Sequence, residues 1–234
     1  MRWIARIFFE PEESKRHSKQ GPRRLAADRR RIPLIFPSHD AYPTVRPDII
    51  SPLMTAPLLT PEQIAEVSLL VAKYITTQRE RYAPRAAPLS AQQKATLGGF
   101  FSPELVDSTR LLVLRGERVS NPDFYPMLRT MGFNNLPDQA TMGAITFEDV
   151  VVSHGPPFSE GLLFHELVHV EQYRQLGTPR FAECYVRGFL SGGGYDGIPL
   201  ERNAYQLAGK FEANPTHRFS VEDEVATWIR EARF

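Results

Sequence analysis

From residue 60 onward, the apolar positions follow two alternating periods. Ile64, Val67, Val71, Tyr74 and Ile75 recur every three or four residues, the repeat of one helix face. Thr60, then Pro61, then Gln63 make a capping-box start with proline at the first helical position. A helix is therefore predicted to about residue 82. Shorter helix starts follow at Ser90 (with Gln93) and at Ser102-Pro103. TRLLVLRG, residues 109–116, reads as a strand. In GAITFEDVVVSHG, residues 143–155, β-branched residues flank Glu148-Asp149, which predicts a hairpin or one bent strand. Ser159 then opens a helix that Gly177 is expected to end in the left-handed conformation. Thr178-Pro179 starts another, and IPLERNAYQLAGKF a third. Ser220 caps the last, whose stripe of Val221, Val225, Trp228 and Ile229 reads as core. The aromatic-rich NPDFYPMLRTMGF, residues 121–133, reads as core too, with a cleft wall as the alternative. Together these elements predict an α+β fold, mainly helical, with a small β-sheet beside the helix that Ser159 opens.

Ahead of residue 60 no period survives. Residues 33–61 carry seven prolines, too many for a helix or an interior strand. Residues 1–31 hold ten Lys/Arg against four Asp/Glu, while the remainder carries 18 against 23. The chain thus divides into a basic, proline-rich arm (1–60) and a mildly acidic body (61–234). The basic run at 15–31 offers a contact for nucleic acid or anionic lipid, although a solvated tail is the simpler reading. A net charge of +1 argues against nucleic-acid binding by the whole surface. No apolar run reaches membrane-spanning length. WIARIFF, residues 3–9, is broken by Arg6 and lacks a small-residue cleavage site. A single cysteine, Cys184, forms no internal disulfide. A cytoplasmic protein is expected.

One stretch carries chemistry. FHELVHVEQY, residues 164–173, sets His165 and His169 four apart, so both project from one helix face. Two imidazoles so placed can ligate one metal ion. Glu166 lies about 100° round the helix, beside the ion and within reach of a water on it. The surrounding Leu162, Leu163, Phe164, Leu167, Val168 and Val170 predict a buried helix. Buried histidines in consecutive turns are costly unless something joins them. The competing reading is a pair of satisfied core histidines.

A catalytic zinc takes three protein ligands and keeps one position open. The HExxHxxGxxH continuation fails, because positions 172 and 175 are both Gln. Three acids remain downstream: Glu183, Asp196 and Glu201. Glu183 pairs with Arg187 at i+4, as on a solvated face. Asp196 sits in the glycine-rich loop SGGGYDGIP, where Asp commonly forms turns. Glu201 opens a helix whose face continues through Ala204, Tyr205 and Ala208. Small residues there let two helices approach closely, so Glu201 is the expected third ligand.

HELVH with a downstream Glu201-x-x-Ala204 resembles the gluzincin branch of zinc metallopeptidases. HELVHVEQY…IPLERNAY resembles, more closely, small bacterial zincin-like domains of the form HELxHxxQ…PxExxA. The resemblance spans residues 143–210. It implies a zincin-like fold, one Zn²⁺ at His165, His169 and Glu201, and Glu166 as general base. It also implies that the strand within 143–153 receives an extended peptide or protein substrate as an added strand. The chain departs from many gluzincins at Tyr205, where they place an Asp that orients a zinc histidine. Candidate donors to a tetrahedral oxyanion are His154, Tyr195, Tyr205 and His217. Two function classes follow: a zinc-dependent peptidase, or a non-catalytic module whose metal is structural. A third idea makes residues 1–60 a pro-segment or lid.

Overall fold

The computed structural model describes residues 59–155 and 158–234. The arm, apart from Leu59 and Thr60, lies outside these residues, and with it the basic run and the lid idea. Within them, local signals set the helix starts. Helix α1 (Pro61–Tyr82) begins at a Thr60–Gln63 capping box, and α2 (Ala91–Leu97) at a Ser90–Gln93 box. Ser102 caps α3 (Pro103–Ser108). A two-residue strand β1 (Ala87–Pro88), strand β2 (Arg110–Val113) and a short helix α4 (Tyr125–Thr130) complete the first half.

The expected hairpin is present as β3 (Ala144–Phe147) and β4 (Val150–Ser153), paired antiparallel with Phe147 opposite Val150. Its two-residue turn places Glu148 at φ 56°, a conformation that L side chains other than Asn and Asp rarely take. Thr178 and Thr76 hold the Glu148 carboxylate, and Arg79 grips Asp149 with two hydrogen bonds of 2.8 and 3.1 Å. The sheet order is β1-β2-β4-β3, with β2 and β4 parallel. β3 is therefore an edge strand. Leu112, Phe147, Val150 and Val152 pack with Val67, Ile75 and Tyr82 in one core cluster, on the α1 side. Val151 points the opposite way, to Leu163, Leu167 and Val168.

Those last three belong to α5 (Glu160–Gly192), capped by Ser159. Gly177 takes φ 72° and ψ 156°, so it is not left-handed helical as expected. It kinks the run, and helix resumes at once. Residues 163–173 are buried without a break, matching a sequence that is apolar nearly all round. A tight turn at Tyr195–Gly197 then leads into α6 (Pro199–Ala213). Phe211 of α6 stacks on Phe164 at 4.5 Å between centroids. Helix α7 (Val221–Arg230) closes the chain, with Val221 and Val225 in the second core cluster. The fold is α+β with a small four-stranded sheet, as expected. Among the described residues, no helix is long and apolar enough to cross a membrane.

Candidate metal centre

Helix periodicity stacks His165 and His169 one turn apart, and their Nε2 atoms lie 3.1 Å from each other. Glu201, in the first turn of α6, brings Oε2 to 3.4 Å from one and 3.5 Å from the other. All three side chains are buried, and these three residues could hold a metal ion. Glu183 is not among them; it is paired with Arg180 and Arg187. Nor is Asp196, whose main-chain oxygen accepts from Arg202.

Backbone packing brings Glu201 so near. A Cβ added at Gly188 would stand 2.5 Å from Pro199 Cδ, and one at Gly192 2.5 Å from Gly197 Cα. The two glycines of α5 thus let the start of α6 lie directly against it. Ala204 and Ala208, both buried, continue the contact along α6. Tyr205 does not: it is 50% exposed. Tyr205 lies at the edge of that face, where its ring meets the His165 ring at 4.4 Å.

The donor set suits a metal on three counts. Two imidazole nitrogens and a carboxylate oxygen are donors that zinc and its neighbours among the transition metals accept. Ligands on one tetrahedral ion with bonds of about 2.05 Å stand about 3.3 Å apart, close to the edges of 3.1, 3.4 and 3.5 Å found here. Glu201 Oε2 is buried and receives no hydrogen bond, a costly condition unless a cation faces it. Burial by itself would raise the Glu201 carboxyl, but the His169 charge opposite outweighs it and holds the group well below the carboxylate range. Burial would likewise lower His169, and the Glu201 charge overrides it, raising the imidazole to about 9.

A hydrogen-bond network sets the tautomer of His169. Gln172, one turn on and fully buried, places Oε1 2.8 Å from His169 Nδ1. Its Nε2 donates to Leu200 O at 3.0 Å and to Asn203 Oδ1 at 2.9 Å. A carbonyl can only accept, so the amide orientation is fixed and Nδ1 of His169 must carry the proton. When a metal displaces the second proton from Nε2, the lone pair there is the one that faces Glu201 and the ion. The resemblance marked Tyr205 as a position lacking an Asp; the group that orients His169 in this structure is Gln172, on the histidine helix itself. Its i+3 spacing from His169 was the available signal.

Glu166 is buried in the same cleft but stands apart from the triad. The Thr146 hydroxyl on β3 lies 2.7 Å from its Oε2 and donates to it. The cleft has a volume of about 110 Å³, and β3 forms one wall. His154 N–H donates to Gly143 O at 3.1 Å. In an antiparallel pair this bonding alternates, so Ala144 and Thr146 turn their peptide groups away from β4. The Thr146 carbonyl meets the Tyr173 hydroxyl at 3.4 Å. Phe124 and Tyr125 form another wall, so the 121–133 segment serves the cleft as well as the core.

The four candidate oxyanion donors separate. His154 has both nitrogens engaged: Nε2 accepts from Val119 N–H at 3.0 Å, and Nδ1 donates to Met142 O at 2.6 Å. Burial lowers its pKa, so it acts as a latch between two loops. His217 lies exposed in a turn. Tyr205 packs at a tilt of 53° against His165, and burial followed by the Glu201 charge raises its phenol to about 12. Tyr195 lines the cleft with Glu166 and the triad. Burial, then Glu201, pushes its phenol well above the usual value, so it stays a donor.

Compared with protein-family models, curated proteins and solved structures, the chain matched none.

Proposed function

We propose that the protein is a zinc-dependent hydrolase of zincin type, a peptidase with Glu166 as general base. The observation that carries this reading is the carboxylate of Glu166, buried in the cleft beside three potential ligands and held by Thr146 without being a ligand itself. A purely structural zinc is usually closed by four protein ligands, and only three donors meet among the described residues. Held by His165, His169 and Glu201, zinc would acidify a water and polarise a carbonyl. Glu166 would take the proton as the water oxygen adds to the carbonyl, and return it to the leaving amine as the C–N bond breaks. Thr146 keeps its carboxylate aimed into the cleft, and Tyr195 donates to the developing oxyanion. The outward peptide groups of Ala144 and the Thr146 N–H receive an extended substrate as an added strand, the Thr146 carbonyl being met already by Tyr173.

The test is Glu166→Gln in the full chain. Zinc content and fold should match wild type while cleavage of a mixed peptide library, followed by mass spectrometry, disappears. Equal cleavage by both proteins would overturn the proposal, and so would none by the wild type.

A further inference from the structure

We infer that His154 is a pH-sensitive latch on one wall of the cleft. Neutral, it pins the segment that carries Pro122 and Phe124 into that wall. Protonated in mild acid, it lets this segment go and keeps its hold on the lead into β3. The device does not depend on what the cleft cleaves. Its first support is the direction of two hydrogen bonds. The Met142 carbonyl, 2.6 Å from Nδ1, can only accept, so Nδ1 carries the proton. The Val119 N–H, 3.0 Å from Nε2, can only donate, so Nε2 presents its lone pair. Both bonds together require the neutral ring. A second proton, on Nε2, would meet the Val119 N–H donor to donor. The bond to Met142 survives the same event and is strengthened by the charge. The latch therefore opens on one side.

The second support is what surrounds the ring. His154 and Val119 are both buried, so a donor stripped of its partner there is costly, and moving outward to water relieves the cost. Two other ties hold the segment: the Tyr74 hydroxyl donates to Ser120 O, and Asn121 Oδ1 accepts from Gln139 N–H, both at 2.8 Å. A phenol and an amide keep their charge between about pH 5 and about pH 8, so His154 is the tie that mild acid reaches. Of the nearby charges, Arg118 bears on the ring; Arg115 is exposed, Glu117 is bonded to Arg85, and Asp138 to Asn121. Thr141 and Gly143 flank Met142 without charge, as Ser153 and Gly155 flank the ring. Burial and then Arg118 disfavour the imidazolium, which lowers the pKa. The stability that the Val119 bond supplies is thus present above the ordinary imidazole value and lost as pH falls through the lowered one.

The experiment is NMR on the full chain, following the His154 ring and two backbone amides from about pH 8 to about pH 5. Exchange is expressed as protection factors, which remove the pH dependence of exchange itself. The expected result is that the Val119 amide loses protection at least about tenfold as His154 gains its charge. The His154 amide, bonded to Gly143 O at 3.1 Å, should keep its own. His154→Gln offers Val119 an acceptor that does not titrate, so its protection should stay high across the range. That variant carries the same triad, so acid effects at the metal centre are common to both proteins. Should it not fold, the two amides of the wild type decide alone. A Val119 amide still protected once His154 is charged would overturn the inference. Equal loss at both amides would do the same, since it marks general loosening in acid, and so would an unchanged pH response in His154→Gln.

Discussion

Gln172 is predicted to set zinc affinity although it touches no metal. The perturbation is Gln172→Met, nearly equal in volume but unable to bond. It leaves His169 Nδ1–H, Leu200 O and Asn203 Oδ1 without the partners they have at 2.8, 3.0 and 2.9 Å. A buried polar group stripped of its partner costs about 1–3 kcal/mol, so the three together cost about 3 kcal/mol or more. At about 2–4 °C per kcal/mol for a domain of this size, the metal-free protein should lose roughly 6–12 °C in Tm. Separately, losing the group that orients a metal histidine weakens binding about 10–100-fold. Zinc affinity is measured by competition with a chromophoric chelator, and Tm by circular dichroism. Asn203→Ala is the control: it loosens the far end of the network and leaves the His169–Gln172 bond intact. It should lower Tm while keeping zinc affinity within about threefold. If Gln172→Met binds zinc as tightly as wild type, Gln172 is only a tie between helices and the tautomer argument is wrong.

Further outcomes follow from the same geometry. Zinc at about 100 times its Kd should add about 2.7 kcal/mol to stability, raising Tm several degrees in a thermal scan, and Glu201→Ala should abolish that rise. Thr146→Val removes the hydroxyl that holds Glu166; kcat should fall at least about tenfold with zinc affinity unchanged, and Thr146→Ser should restore it. Gly192→Ala would drive a methyl into the Gly197 backbone. Overpacking of this kind costs about 1–3 kcal/mol, and a chelator titration should show weakened zinc binding as α6 is pushed from α5.

Much of this was legible in the sequence because its signals are local. The boxes at Thr60 and Ser90 need only four residues to declare a helix start, and the 165/169 spacing needs only one helix face. Glu201 emerged by eliminating acids whose neighbours already explained them. What stayed hidden depends on contacts between distant segments. Nothing in RLLV reveals a parallel partner at 150–153. Thr146 reads as an ordinary strand residue until β3 is laid against α5. Gly177 looked like a terminator because ψ cannot be read from a residue name; it proved a kink. Tyr205 counts with the face of Glu201, Ala204 and Ala208 because the helix period is too coarse to separate the edge of a face from its centre, and it proved half exposed.

The contact of Gly192 with Gly197 has a consequence for how the site ages. Side-chain contacts can be rewritten: a core accepts new residues if volume is conserved, and its elements shift as it does so. Backbone atoms offer nothing to rewrite. The separation between the histidine helix and the glutamate helix is thus set by main-chain thickness, much as a dowel sets two boards. Core residues around it can drift through many generations without moving Glu201 relative to His165 and His169. Distant descendants of this chain should keep these glycines and the triad after the rest of the sequence has become unrecognisable.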